Sequence, residues 1–338
     1  MIARVADHCF WLGRYLERVD CTARVLHVTL HLSLDAELGP RQCWLPVVIV
    51  SGEREAFFAK HGEAAAGDAE IVQSYMTWDE TNDVSLVRSI AAARDNARSI
   101  REVVSLEVWE TLNELYLWSQ SPAARDEYTT NRYAFYRTIR RAIELCRGLL
   151  QSTMLHDDPL DFLLLGLLLE RAGHSARIVD VHHHALSKGE TRLEVVETGV
   201  WLSILRSCSG KEPFMKRHQG RVTGPAVAAF LILEPLFPRS VQHAVAEAHM
   251  RLLSIRPAGA NDLPGERSLA RLRALDAWLA SQTAETILPI HDLATYVVSE
   301  TAGICEEIGR ELLGYGAQVA EGDPEPQALN GYGGGSAA

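Results

Sequence analysis

The sequence lacks a long apolar run, a surplus of positive charge and any paired-cysteine spacing, and each absence removes a class of protein. A membrane-spanning helix needs about 18 or more consecutive apolar residues. The richest stretch here, Phe162 to Leu169, stops at Glu170-Arg171. Lysine and arginine total 33 against 44 acids, a net charge of −11. General nucleic-acid binding rests on clustered cations and is not expected. The six cysteines (Cys9, Cys21, Cys43, Cys146, Cys208, Cys305) show no CxxC spacing. They read as reduced thiols of a cytoplasmic protein, neither a disulfide framework nor a zinc finger. Met1 to His8 carries an acid and no apolar core, so no secretory signal is expected. P-loop, GxGxxG, GxSxG and HExxH motifs are all missing.

What remains is a chain of 338 residues, 47% hydrophobic and 23% charged, the composition of an ordinary globular protein. Its dominant pattern is helical. From Leu12, apolar residues recur at Leu16, Val19, Ala23, Leu26 and Leu30, which puts them on one face of a helix expected from Ala3 to Leu34, ending before Gly39-Pro40. Comparable patterns cover 84–104, 106–118, 131–154, 159–186, 193–208, 238–253, 268–280 and 290–313. No convincing set of alternating strands is present, and the fold class expected is all-α.

The strongest single signal is repetition. Residues 12–28, LGRYLERVDCTARVLHV, and residues 165–181, LGLLLERAGHSARIVDV, agree at eight of 17 positions. Echoes follow in the same order. Trp44-Leu45 answers Trp201-Leu202, Ser51-Gly52 with Lys60-His61 answers Ser209-Gly210 with Arg217-His218, and Ser85 answers Ser240. Two homologous helical-bundle halves with pseudo-two-fold symmetry are expected, 1–157 and 158–321, with a disordered tail at 322–338. The repeat also favours a helix over a strand for Val47 to Val50.

Helix geometry gives the repeated residues a shared position. Residues seven apart lie within about 20° of one another on a helix, so Arg14, Glu17, Cys21 and Arg24 form one stripe, with Arg18 beside it. The second copy offers Glu170, His174 and Arg177, with Arg171 beside them and Leu167 where Arg14 stood. Leu163 to Leu169 is apolar all round, which marks a helix buried on most sides. Buried charges require paired, hydrogen-bonded partners. A charged cluster is therefore expected where the two Glu-Arg helices approach. Two meanings stay open. One is an ion-pair network that fixes the register of the halves. The other is a pocket in which Arg14, Arg18, Arg24, Arg171, Arg177 and His174 bind an anionic ligand, with Glu17 and Glu170 as candidate catalytic bases. Cys21 beside Arg18 and Arg24 is a candidate for a lowered thiol pKa. His182-His183-His184 point about 100° apart and cannot share one ion. No metal and no cofactor are expected.

The segments RVADHCFWLGRYLERVDCTARVL, 75–118, 162–181 and 203–241 together resemble the bacterial alpha-E family, with its Glu-Arg motif at Glu17-Arg18 and Glu170-Arg171. The resemblance spans the chain to about residue 320. It departs at Asp7-His8, a position commonly Glu-Asn, and at Leu167, commonly polar. It implies an all-helical tandem duplication and a place in a peptide synthesis or modification system. The partners it implies are a circularly permuted ATP-grasp ligase and a transglutaminase-like protease, with a peptide or amino-acid substrate.

Overall fold

A computed structural model describes residues 2–35, 38–187, 194–219, 222–257, 259–260, 262–287 and 289–315, with backbone alone at 35, 182–187 and 194–196. The described chain is all-α and contains no strand. The first half comprises α1 (Ala3–Asp35), α2 (Pro40–Val50), α3 (Arg54–His61), a 3₁₀ turn at Glu63–Gly67, α4 (Ala69–Trp78), α5 (Leu86–Ser99), α6 (Leu106–Ser119), α7 (Pro122–Thr130) and α8 (Arg132–Thr153). The second comprises α9 (Asp158–Ser187), α10 (Glu194–Ser207), α11 (Lys211–Arg217), α12 (Gly224–Leu233), α13 (Val241–Ile255), α14 (Glu266–Ala280) and α15 (Ile290–Leu312). The triple histidine 182–184 lies outside the described side chains, and the tail expected at 322–338 lies outside the described residues.

Local chemistry sets many of these boundaries. Gly39 precedes α2 and Pro40 opens it, where a missing N–H costs nothing. Val47 to Val50 are helical, as the repeat favoured. Asp68 caps α4 by accepting from the amides of Glu70 and Ile71. Ser85 and Ser240 cap α5 and α13, each accepting from the amide three residues on, Arg88 and His243. Both serines are fully buried. Replacing either by alanine is expected to cost about 1 kcal/mol, measured as a shift in the urea midpoint. A pair of neutral substitutions would show that the caps do not hold these helices.

Some contacts recur between the two regions that echo in sequence. Trp44 and Trp201 are each 1% exposed. Phe57, His61 and Tyr75 form one ring cluster, with Phe57 to His61 at 5.1 Å and His61 to Tyr75 at 5.6 Å. Phe214, His218 and Phe230 form another, at 4.5 and 6.1 Å. The pattern extends to neighbours: α2 lies against α9, and α10 lies against α1.

At the centre, α1 and α9 run side by side in the same direction. They approach so closely that a Cβ on Gly13 would stand 1.9 Å from the Leu163 carbonyl oxygen, and one on Gly166 would stand 2.1 Å from that of Phe10. These are mutual positions, since Gly13 answers Gly166 as Phe10 answers Leu163. Only a hydrogen in place of a side chain lets the backbones meet there. Around this crossing, α5 and α8 cover α1, while α13 and α15 cover α9. Neither central helix keeps a solvent face over its middle. The polar stripe of α1 is buried like its apolar one, with Arg14, Glu17, Cys21 and Arg24 all at most 6% exposed.

Candidate functional site

Because α1 and α9 cross at Gly13 and Gly166, the Glu-Arg steps one turn further along face each other. Glu17 accepts from Arg171 of the opposite helix, at 2.9 Å from Nε and 2.7 Å from a terminal nitrogen. Glu170 accepts from Arg18 at 2.8 Å. Each motif therefore gives its glutamate to the other's arginine. The forked pairing of Arg171 with Glu17 fixes both distance and orientation.

The remaining partners of the two glutamates differ. Arg14 completes the shell of Glu170 at 2.7 Å. Its counterpart Leu167 has no charge to offer Glu17. Arg239, from the turn before α13, fills that role at 3.0 Å. Arg147 of α8 adds a longer pair at 3.6 Å. Asp20, fully buried, ties the group together through Arg24 at 2.8 Å, Arg147 at 3.7 Å and a short contact to Arg239. Arg24 also reaches Glu144 at 3.2 Å and donates to Ser209, a residue held at φ +52°. Aromatic faces support the arginines around Glu170: Arg14 lies 4.7 Å from the Trp11 ring centre, and Arg18 lies 5.4 Å from that of Tyr15.

These contacts dictate the charge states. Burial pushes the Glu17 carboxyl up, but Arg171, Arg239 and Arg147 outweigh it and hold it well below the usual carboxylate range. Burial likewise opposes ionisation of Glu170, and Arg18 and Arg14 overcome it. Asp20 is lowered too, with burial opposed by Arg239 and Arg24. All three are anions at neutral pH. His174, which answers Cys21 in the repeat, is driven down to about 3 by burial and then by Arg177. It is neutral, and its buried Nε2 has no hydrogen-bond partner among the described residues.

Cys21 corrects the sequence expectation. Burial, then Glu17, pushes its thiol well above the ordinary value: the sulfur donates to the Glu17 carboxylate at 3.5 Å, and Arg239, reaching it at 4.0 Å, does not offset this. A disulfide-exchange reagent at pH 7 is expected to leave Cys21 unmodified in the folded chain. Rapid labelling there would contradict the burial. Among the described residues, no group of three or more His, Cys, Asp or Glu is arranged to hold a metal ion.

Of the residues singled out in sequence, Glu17 and Arg171 meet, as do Glu170, Arg14 and Arg18. Arg24 joins Asp20 instead of either glutamate. Arg177 stands close enough to Glu170 to help lower it. Asp20, Arg147 and Arg239 were missed. Asp20 answers Gly173, and Arg239 falls where the first half has Val84, so repetition could not single them out.

On the α8 and α13 side the cluster borders a cleft of about 380 Å³. Three helix faces converge on it: Glu144, Arg147 and Gly148 from α8, Leu164, Leu168 and Arg171 from α9, and His243, Glu247 and Arg251 from α13. Arg147 is the link between cluster and cleft. Its side chain is 26% exposed, its ion pairs are the long ones to Glu17 and Asp20, and no hydrogen bond among the described residues takes its donors.

Fold and site together define an all-helical protein organised around two crossed Glu-Arg helices. The sequence profile of the Alpha-E family, a predicted alpha-helical domain with a conserved ER motif, matches residues 1–313, and the chain belongs to that family. The resemblance read from the sequence is borne out. Three mycobacterial proteins are similar to it: Uncharacterized protein Mb2597 of Mycobacterium bovis, and Uncharacterized proteins MT2643 and Rv2567 of Mycobacterium tuberculosis. Each is 23% identical over 286 residues, covering 79% of this chain and 30% of the relative. The chain thus spans less than a third of the length of the curated relatives it matches. No solved structure matches it. No described helix is long and apolar enough to cross a membrane.

Proposed function

We propose that this protein is a binding component of a bacterial peptide synthesis or modification system, acting beside an ATP-grasp amide ligase. In this reading it holds the anionic end of a peptide, or of an acyl or phosphorylated intermediate, at the arginine-rich seam. The observation that carries the reading is the Arg147 guanidinium, held only by long ion pairs to Glu17 and Asp20, which lines the cleft beside a buried cluster where arginines outnumber carboxylates. The whole chain carries −11, so this concentration of cations is local and favours an anion. Support for the ligase, and for a transglutaminase-like protease as second partner, comes from the family resemblance. It also fits relatives that extend far beyond the matched region. The reciprocal Glu17–Arg171 and Glu170–Arg18 pairs support descent of 1–157 and 158–321 from one duplicated unit.

Glu17 and Glu170 serve here as anchors for arginine and not as proton acceptors. A carboxylate held well below its ordinary value is a weak base at neutral pH. Both oxygens of each already accept from arginine. That same saturation favours a second reading, a non-catalytic scaffold whose Glu-Arg network is purely structural. The two readings separate in thermal-shift titrations with acetate, inorganic phosphate, acetyl phosphate and short acidic peptides. The binding reading predicts a saturable rise in Tm that Arg147→Met abolishes. A ligand at 100 times its Kd would stabilise by about 2.7 kcal/mol. The scaffold reading predicts no rise with any of them. Co-purification with an ATP-grasp ligase tests the partnership.

A further inference from the structure

The cleft carries information about the ligand beyond its sign. Of its three arginines, two are engaged. Arg171 is forked onto Glu17 and also donates to the Pro238 carbonyl. Arg251 donates to Asp161 at 3.2 Å and Glu247 at 3.4 Å. Arg147 is held only by long ion pairs of one terminal nitrogen, to Glu17 at 3.6 Å and Asp20 at 3.7 Å, and no hydrogen bond among the described residues takes its other donors, which remain for a guest. Two carboxylates, Glu144 and Glu247, stand at the rim with half-exposed side chains. One partly engaged guanidinium in a cleft with two rim acids suits a single negative charge and disfavours a dianion.

Leu150 of α8 and Leu164, Leu167 and Leu168 of α9 give the cleft a hydrocarbon lining. Leu167 stands where the first copy has Arg14, so exchanging a guanidinium for an isobutyl group makes this side of the seam apolar. His243 adds a direction. Its Nδ1 donates to the Pro235 carbonyl at 2.8 Å, since a carbonyl only accepts. In the neutral ring Nε2 is then an acceptor, suited to an amine or amide N–H. The volume of about 380 Å³ is near the lower end for small-molecule sites.

We propose that the cleft receives an aliphatic α-carboxylate, either a free amino acid or the C-terminal residue of a peptide. Its carboxylate lies on Arg147, its side chain lies against the leucine wall and its nitrogen faces His243 and the rim acids. This deepens the binding reading above by naming the ligand class, and it rests on that reading.

The test is calorimetric titration of the full chain with leucine, N-acetylleucine, Ala-Ala-Leu, leucinamide, inorganic phosphate and acetyl phosphate. Leucine, or Ala-Ala-Leu with N-acetylleucine, is expected to bind at one site, and leucinamide at least tenfold more weakly. Comparing leucine with Ala-Ala-Leu distinguishes the free amino acid from the peptide end. Arg147→Met is expected to weaken binding at least tenfold. Gly148→Leu is a second variant with a different mode of action. A Cβ at Gly148 meets nothing within 4 Å, so the leucine should enter the cleft and block it, with Tm unchanged or raised. Leucine-type binding that ignores both variants overturns the proposal. Phosphate binding lost in Gly148→Leu, with no binding of any leucine carboxylate, overturns the ligand class and leaves an anion pocket. Failure of every probe removes both this proposal and the binding reading.

Discussion

Glu17→Ala is expected to destabilise the protein by about 3–5 kcal/mol, the cost of breaking a buried ion pair by removing one partner. The glutamate is fully buried, and its loss leaves Arg171, Arg239 and Arg147 facing one another with only Asp20 to answer them. Asp83→Ala is the control. Its pair with Arg88 at 3.3 Å is exposed, and such pairs are worth about 0–1 kcal/mol. Urea unfolding of the two variants gives the comparison, and equal costs would contradict the buried network. The same contacts set a pH dependence. Glu17 and Glu170 have folded pKa values below their ordinary 4.5. Their contribution to stability is therefore complete above that value and is lost as pH falls below it toward the folded values. Glu170→Gln should show less of this acid-side loss than the wild type.

The second large effect concerns a residue with no charge. Gly13→Ala is expected to cost about 3 kcal/mol, at the upper end for forcing atoms into a packed interior. The added methyl has no room: Leu163 O would lie 1.9 Å away, and it belongs to helix backbone that cannot swing aside. Gly166→Ala should cost about as much, because its methyl meets Phe10 O at 2.1 Å. Gly148→Ala supplies the contrast. It sits in a helix with open space around it, so alanine is expected to stabilise by about 0.5–1 kcal/mol. Chemical denaturation of the three variants would refute the close crossing if Gly13→Ala and Gly148→Ala moved the midpoint alike.

The sequence made the long helices legible because α1, α8, α9 and α15 are long enough for their apolar spacing to declare itself. Short elements were less visible. α12, GPAVAAFLIL, is apolar on every side and shows no period, and α3, α7 and α11 have at most nine residues each. The 84–104 pattern overran its helix, which ends at Ser99 with Ile100 turning at φ −128°. Glu17, Glu170 and their arginines were legible because they recur. Arg147 and Arg239 were not, since they enter from α8 and from a turn, and only folding brings them to Glu17. The cleft has a faint signature in His243, Glu247 and Arg251 at helical spacing. That pattern on α13 looks like any polar face until α8 and α9 are set against it.

The exchange of partners between the two Glu-Arg motifs is best tested by double-mutant cycles on Glu17 with Arg171 and on Glu170 with Arg18. Each cycle is expected to return a coupling of at least about 1.5 kcal/mol, well above the additivity error of distant sites. Additive behaviour in both cycles would mean that the motifs do not pair across α1 and α9, and the seam described here would not exist.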